Sequence, residues 1–350
     1  KSTLFNALTR TKSANAQNYP FCTIDPNIGI VEVPDHRLKE LAEVSKSAKI
    51  IPAAIEFVDI AGLVKGASLG QGLGNKFLSH IRECSAIGHV IRSFEDSNVI
   101  HVHGKIDPKV DKEVIESELI LADLQTMEKR VLKANSDAKS GDNKRKAYAE
   151  LLEKIKLNLE KGILAGNMDL SDEEKEQIQD LHLLTIKPHL YIINIKENEI
   201  AAFDKKTYAE KLGIDNPEKI IPICAKIEED LGDFGEEEAN EYLKSLGIKE
   251  SGLNALIKVA YSTLGLMNYF TSGPTETRAW TIKKGALAPQ AAGVIHTDFE
   301  KGFIKAEVIN WKDFVESGGE IKAKEKGLMR MEGREYTVQD GDTMHFKFAN

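Results

Sequence analysis

No run of apolar residues in this chain approaches the roughly 20 needed to cross a bilayer, which argues against a membrane-spanning protein. Cysteine is scarce. Cys22, Cys84 and Cys224 are odd in number, far apart and free of any CxxC spacing, which speaks against a disulfide framework or a cysteine zinc site. Reduced thiols in a cytoplasmic compartment are the expectation. A basic excess is also lacking: 47 Lys and Arg stand against 55 Asp and Glu, a net charge of −8, so no global positive field advertises a nucleic-acid binder. From Met267 to Asn350 the two signs balance at twelve each, so the acidic excess lies earlier and a local basic face remains open. The 350 residues, 41% of them hydrophobic, suffice for two or three ordinary domains.

What is present begins with Lys1-Ser2-Thr3-Leu4-Phe5-Asn6-Ala7-Leu8-Thr9, which reads as the second half of the phosphate-binding loop GxxxxGK[ST], entered at the lysine. In that motif loop amides and the lysine hold phosphates, while the Ser/Thr hydroxyl takes Mg²⁺, making Lys1, Ser2 and Thr3 candidate nucleotide residues and Ser2 a candidate metal ligand. Alone, Lys-Ser-Thr also fits a capped helix start. Two further segments follow in NTPase order. The apolar run Ile55–Val58 ends in Asp59-x-x-Gly62, which suits a carboxylate reaching Mg²⁺ through its water shell and a glycine amide sensing a γ-phosphate. Between them, Asn18–Asn27 is a proline-punctuated loop whose Thr23 can close on Mg²⁺. Glycines 62, 66, 70, 72 and 74 make the stretch after Asp59 conformationally permissive, as a hydrolysis-gated switch or an uncoupled surface loop would be.

Helix and strand signals alternate over 1–104, with strands near Gly29–Val33, Ala54–Asp59 and His89–Phe94 and a helix over Asn75–Ser85. The pattern then changes. Ile120, Leu124, Met127 and Val131 recur at steps of four, three and four, and Tyr148, Leu152, Ile155 and Leu159 repeat those steps after the polar stretch Ser136–Asn143. Two helices with narrow apolar stripes predict an antiparallel coiled coil inserted into the nucleotide domain. Leu170–Glu174 supplies the cap and acidic first turn of a returning helix. Strands resume at His189–Asn194 and Ile220–Ala225. After Tyr269-Phe270 the chain turns strand-rich, with a turn at Asp340-Gly341 and an alternating Met344, Phe346, Phe348.

KSTLFNALT at Lys1–Thr9, NYPFCTIDPN at Asn18–Asn27, FVDIAGLVKGASLGQGLGNKFL at Phe57–Leu78 and RAWTIKKGALAPQAAGVIHTDFEKGFIKAEVI at Arg278–Ile309 together closely resemble the YchF/Obg-like ATPase family of translation-factor-class P-loop NTPases. The resemblance spans nearly the whole chain. It implies an α/β fold: a P-loop nucleotide domain over 1–104 and 187–266, an inserted helical coiled coil over 105–186, and a C-terminal TGS domain with a β-grasp fold over 267–350. It also implies ATP and ADP as ligands, Mg²⁺ as cofactor with K⁺ admitted beside it, and the ribosome or a structured RNA as partner, with no membrane.

Base choice can be weighed in the residues themselves. GTPases of this class read guanine with Asn-Lys-x-Asp, and the corresponding stretch here is Asn194-Ile195-Lys196-Glu197. Ile195 removes the lysine stem over the ring, and Glu197 is one methylene too long, so the guanine clamp is spoiled twice although a glutamate can still reach guanine. The resemblance decides for ATP, with Asn194 and the Ile195 backbone at the adenine. Catalysis departs in the same way: Leu63 stands where Ras-like proteins carry a water-orienting glutamine and cannot polarise water. Hydrolysis is then slow, or another group enters from a mobile loop. His101 matches a family histidine proposed for that role. Three functions stay in view: an ATP-hydrolysing switch on ribosomes, a nucleotide-dependent ribosome or RNA binder with incidental turnover, and a GTPase of the Obg class.

Overall fold

A computed structural model describes residues 1–12, 28–60, 73–94 and 106–349. The strands among them are β1 (Ile28–Glu32), β2 (Ile50–Ile51), β3 (Ala54–Val58), β4 (Ile87–Arg92), β5 (His189–Asn194), β6 (Ile220–Ile223), β7 (Leu266–Ser272), β8 (Thr277–Lys283), β9 (Phe303–Asn310), β10 (Arg330–Glu332) and β11 (Asp342–Phe348). Five helices matter most for function: α1 (Ser2–Lys12), α2 (His36–Ser45), α3 (Leu73–Glu83), α4 (Pro108–Ala138) and α5 (Asn143–Glu160). No helix among the described residues is long and apolar enough to cross a membrane. The chain forms two compact units. One comprises Lys1, Val58–Asp230 and Gly235–Gly252, and the other Ser2–Phe57, Leu231–Phe234 and Leu253–Asn350.

In the first unit β4, β5 and β6 form a parallel sheet in that order. Parallel strands covered on both faces read as continuous apolar runs, which is why HLYIIN and IIPI lack alternation. Ile91, Tyr191, Ile193, Ile195 and Ile220 pack with Leu212 and Ile214. A second cluster joins Leu78 and Ile81 of α3 to Leu119 and Ala122 of α4 and to Leu184.

The helical hairpin extends from this sheet. Asp107 caps α4 by accepting from the Lys109 and Val110 amides, and Pro108 occupies the first helical position, where a missing N–H costs nothing. Asp142 caps α5 in the same manner. The two heptad stripes meet as expected: Met127, Val131, Leu152, Ile155 and Leu159 share one buried cluster with Leu164, Ile178 and Leu181 of the returning segment. Ser171 and Glu174 form a reciprocal capping box at the helix Asp172–Gln177.

α4 begins earlier than its apolar stripe because its root carries buried charge. Lys112 and Glu116 pair at 2.9 Å, and Glu116 accepts from the Tyr191 hydroxyl at 2.8 Å. About two turns further along the helix, buried Asp123 accepts from the Leu184 and Thr185 amides at 2.8 Å each and from the Thr185 hydroxyl at 2.6 Å. Burial raises the Asp123 carboxyl above its ordinary value, and those donors pull it back.

The second unit holds a six-stranded mixed sheet in the order β10-β9-β11-β7-β8-β2. β11 runs parallel to β7 and antiparallel to β9, and the helix Ala288–Ile295 closes the core over Tyr269, Phe303, Val308 and Phe346. This is the β-grasp arrangement. Its turn at Asp340-Gly341 requires glycine, since Gly341 has φ +90° and a Cβ there would lie 2.5 Å from Trp311. β2 adds a parallel edge to β8, and Arg37 bridges Asp35 at 2.7 Å and Asp340 at 2.9 Å. β1 and β3 form a separate pair.

The sheet of the first unit contains two buried imidazoles. His89 Nε2 and His189 Nδ1 share a hydrogen bond of 2.8 Å, while His89 Nδ1 and His189 Nε2 have no partner. Tyr191 stacks on His89, and Lys112 and Lys219 place positive charge nearby. Burial, reinforced by those lysines, pushes His189 down to about 4 and His89 well below its ordinary value. The unfolded chain therefore takes up protons below pH ~6.5 that the folded chain refuses, so stability is full above that pH and is lost as pH falls toward about 4. By this linkage His189 alone costs about 2 kcal/mol at pH 5 relative to pH 7.5. Thermal melts at the two pH values should show a larger drop for the wild type than for a His89→Gln, His189→Gln double variant; equal drops would remove the pair from the explanation.

Candidate functional site

β3 carries its chain to Asp59, directly beyond the strand end, and there the carboxylate meets Lys1. Lys1 Nζ lies 3.0 Å from Asp59 Oδ1 and also donates to the Ile60 carbonyl. Both side chains are partly exposed, 36% for Lys1 and 21% for Asp59, so the pair is open to solvent and to a ligand. An ion pair this exposed adds little stability. Its significance is chemical: an ammonium suited to phosphate sits beside a carboxylate suited to a hydrated cation.

Ser2 and Thr3 open α1, both exposed, and the helix anchors itself through buried Leu4, Ala7 and Leu8. Amides at a helix start are unpaired within the helix and favour anions. Ser2 and Asp59 each carry an oxygen of the hard kind that Mg²⁺ accepts, so the chemistry of each residue suits that ion. Thr23, Gly62 and His101 lie outside the described residues, as do Gly66, Gly70 and Gly72.

At the end of β5, Asn194 Oδ1 accepts the Ala225 amide at 3.2 Å, tying the strand to the start of the helix Ala225–Leu231. The next residue is committed to the core. The Ile195 side chain is 2% exposed, and its amide donates to the Ile223 carbonyl at 2.9 Å. Glu197 opens the short helix Glu197–Ile200 and faces Lys226, with Nζ to Oε2 at 3.7 Å. Among the described residues no hydrogen bond or ion pair joins Asn194 or Ile195 to Lys1 or Asp59.

Sequence reasoning missed Ala225 and Lys226. It took Ile220–Ala225 as strand, whereas β6 ends at Ile223 and Cys224-Ala225-Lys226 turns into a helix. A small residue followed by lysine just past a buried strand was the available signal.

A lysine-led helix, an aspartate at the end of β3, and a parallel sheet whose β5 ends at the asparagine of Asn-x-x-Glu are each features of a P-loop NTPase of the translation-factor class. Residues 1–135 match a family model described as "50S ribosome-binding GTPase", and residues 266–349 match the YchF-type GTPase C-terminal model, described as "Protein of unknown function (DUF933)". Curated relatives named "Ribosome-binding ATPase YchF" are similar along almost the whole chain. Those of Bacillus subtilis and Escherichia coli O157:H7 are each 50% identical over 351 residues, covering 99% of this chain and 96% of the relative. The solved Schizosaccharomyces pombe YchF GTPase superposes with a TM-score of 0.87 at 39% identity, covering 99% of this chain and 94% of that one. The chain belongs to the YchF family.

Asn194→Ala should leave the partly buried Ala225 amide without its acceptor and cost about 1–3 kcal/mol of stability. Asn194→Asp keeps an oxygen acceptor and should retain most of it. Urea midpoints compare the two, and indistinguishable variants would show that the hydrogen bond carries no weight.

Proposed function

We propose that this chain is a Mg²⁺-dependent, ATP-hydrolysing switch that works on ribosomes in the cytoplasm. The observation that carries the reading is the Lys1–Asp59 pair, an ammonium for phosphate beside a carboxylate for a hydrated cation, in a chain half identical to proteins named ribosome-binding ATPases. Lys1 neutralises phosphate charge, Ser2 and Thr23 ligate the metal, and Asp59 orients the metal's water. Thr3 and Gly62 add contacts to the phosphates. When bound, Mg²⁺ supplies charge neutralisation between the phosphates, and K⁺ is admitted as a second cation.

The base falls to Asn194 and Ile195. With its amide already donated to Ile223, Ile195 offers a base only its carbonyl, an acceptor that suits the 6-amino group of adenine and repels the 6-oxo group of guanine. Glu197, beside Lys226, has a cationic competitor for the donors on a guanine edge. The nucleotide state then sets the surface presented to the ribosome. We assign nucleotide handling to 1–104 and 187–266, the coiled coil to 105–186 and the TGS module to 267–350.

Calorimetric titration should show ATP binding several-fold tighter than GTP, with Lys1→Ala weakening both, and turnover should rise when ribosomes are added. A GTP preference would overturn the base assignment, and turnover indifferent to ribosomes would favour a binding module with incidental hydrolysis.

Leu63 cannot orient water, so the reading gives that task to His101. His101→Ala should slow single-turnover ATP hydrolysis by about 10²-fold with nucleotide affinity unchanged. An unaltered single-turnover rate would leave His101 without a catalytic role.

A further inference from the structure

On the face of the second unit's sheet turned away from the helix Ala288–Ile295, two strands and a short helix bring three potential metal ligands together. β9 and β11 pair antiparallel with Glu307 directly opposite His345, which sets their side chains next to each other on one face. That face is not the apolar one, since the alternate residues Ala306, Val308, Met344 and Phe346 belong to the core cluster. The third ligand comes from a different element. The chain leaves the helix Trp311–Ser317 through Gly318 and Gly319, at φ +78° and +109°, and this reversal brings Glu320, the first residue of the helix Glu320–Glu325, to the pair. One carboxylate oxygen of Glu307, one of Glu320 and a ring nitrogen of His345 lie within 4.8 Å of one another.

We propose that Glu307, Glu320 and His345 form a zinc site that pins the helix Glu320–Glu325 to the sheet. Glu307 Oε2 and His345 Nδ1 stand 3.6 Å apart, close to the roughly 3.3 Å between neighbouring ligand atoms around a tetrahedral Zn²⁺, so binding needs little movement of either strand. Donor chemistry selects the ion: an imidazole nitrogen with two carboxylates suits zinc, whereas Mg²⁺ and Ca²⁺ take oxygen. Lys347 is the competitor. Its ammonium lies 3.3 Å from Glu307 Oε2 and 3.5 Å from His345 Nδ1, on the same face two residues along β11. The Glu307 carboxylate, only 12% exposed, thus already draws a cation to this spot, and Lys347, 40% exposed on a flexible stem, is free to swing into solvent. Glu320 forms no ion pair among the described residues, and a metal gives it a partner. Three protein ligands leave the remaining coordination position to water.

The test uses the full chain in a large excess of Mg²⁺, which fills all-oxygen sites and leaves the imidazole-containing one to zinc. Calorimetric titration with Zn²⁺ compares the wild type with Glu307→Gln, Glu320→Gln, His345→Gln and Lys347→Met, and Co²⁺ in place of Zn²⁺ adds a visible absorption band that reports ligand geometry. The wild type is expected to show a zinc site that each ligand variant weakens about tenfold or more, since even outer-shell partners of a metal are worth that much. Lys347→Met keeps every ligand and removes the competing ammonium, so it should bind zinc several-fold tighter with the wild-type Co²⁺ band. Zinc should also raise the melting temperature of the wild type and of Lys347→Met, and leave that of His345→Gln unchanged. Equal zinc affinity in the wild type and His345→Gln would overturn the site by showing that zinc is held elsewhere. Weaker binding by Lys347→Met would overturn it by making the lysine a supporting member of the cluster. Absence of zinc binding by the wild type in excess Mg²⁺ would reduce the cluster to an ordinary ion-pair network. Should a ligand variant fail to fold, Lys347→Met against the wild type decides alone.

Discussion

A strand hydrogen-bonded on both edges and buried on both faces cannot slip by one residue without turning every side chain over, and β5 is held in that way. Its register fixes much of what the first unit does. His189 at one end meets His89 of β4, Tyr191 in the middle reaches Glu116 of α4, and Asn194 at the other end holds the Ala225 amide. Residues at the carboxyl ends of parallel strands line the ligand side of such sheets. Asn194 and Ile195 therefore stand at the carboxyl end of the sheet because Leu190–Ile193 are unable to be anywhere else.

The same strand fixes the hairpin. Buried polar groups specify geometry strongly, because a misplaced partner leaves a desolvated charge or dipole unpaired. At the root of α4 the Lys112–Glu116–Tyr191 chain and the Asp123 cage on Leu184 and Thr185 both demand one placement of the helix. An apolar root tolerates small rotations, since dispersion has little direction. This root does not. Beyond it the hairpin is held by the apolar cluster, the caps and exposed pairs such as Arg130–Asp180 and Lys154–Glu174, so its position is set near the sheet and carried outward along the helices.

Periodicity made the hairpin legible, since the spacing of Ile120, Met127, Val131, Leu152 and Ile155 follows directly from the burial that the structure shows. The start of α4 was not legible. Lys112, Glu116 and Asp123 look like solvated surface in a sequence, and only their partners show that Lys112 and Asp123 are buried and Glu116 partly so. Distance along the chain hid the rest. Ile50-Ile51 pair with Thr277-Arg278, and Arg37 meets Asp340, contacts for which no local pattern exists. Of the candidate site, Lys1, Asp59 and Asn194 were legible because motif spacing encodes them. The Ile195 amide, Ala225 and Lys226 were not, because hydrogen-bond commitment depends on where β6 stops.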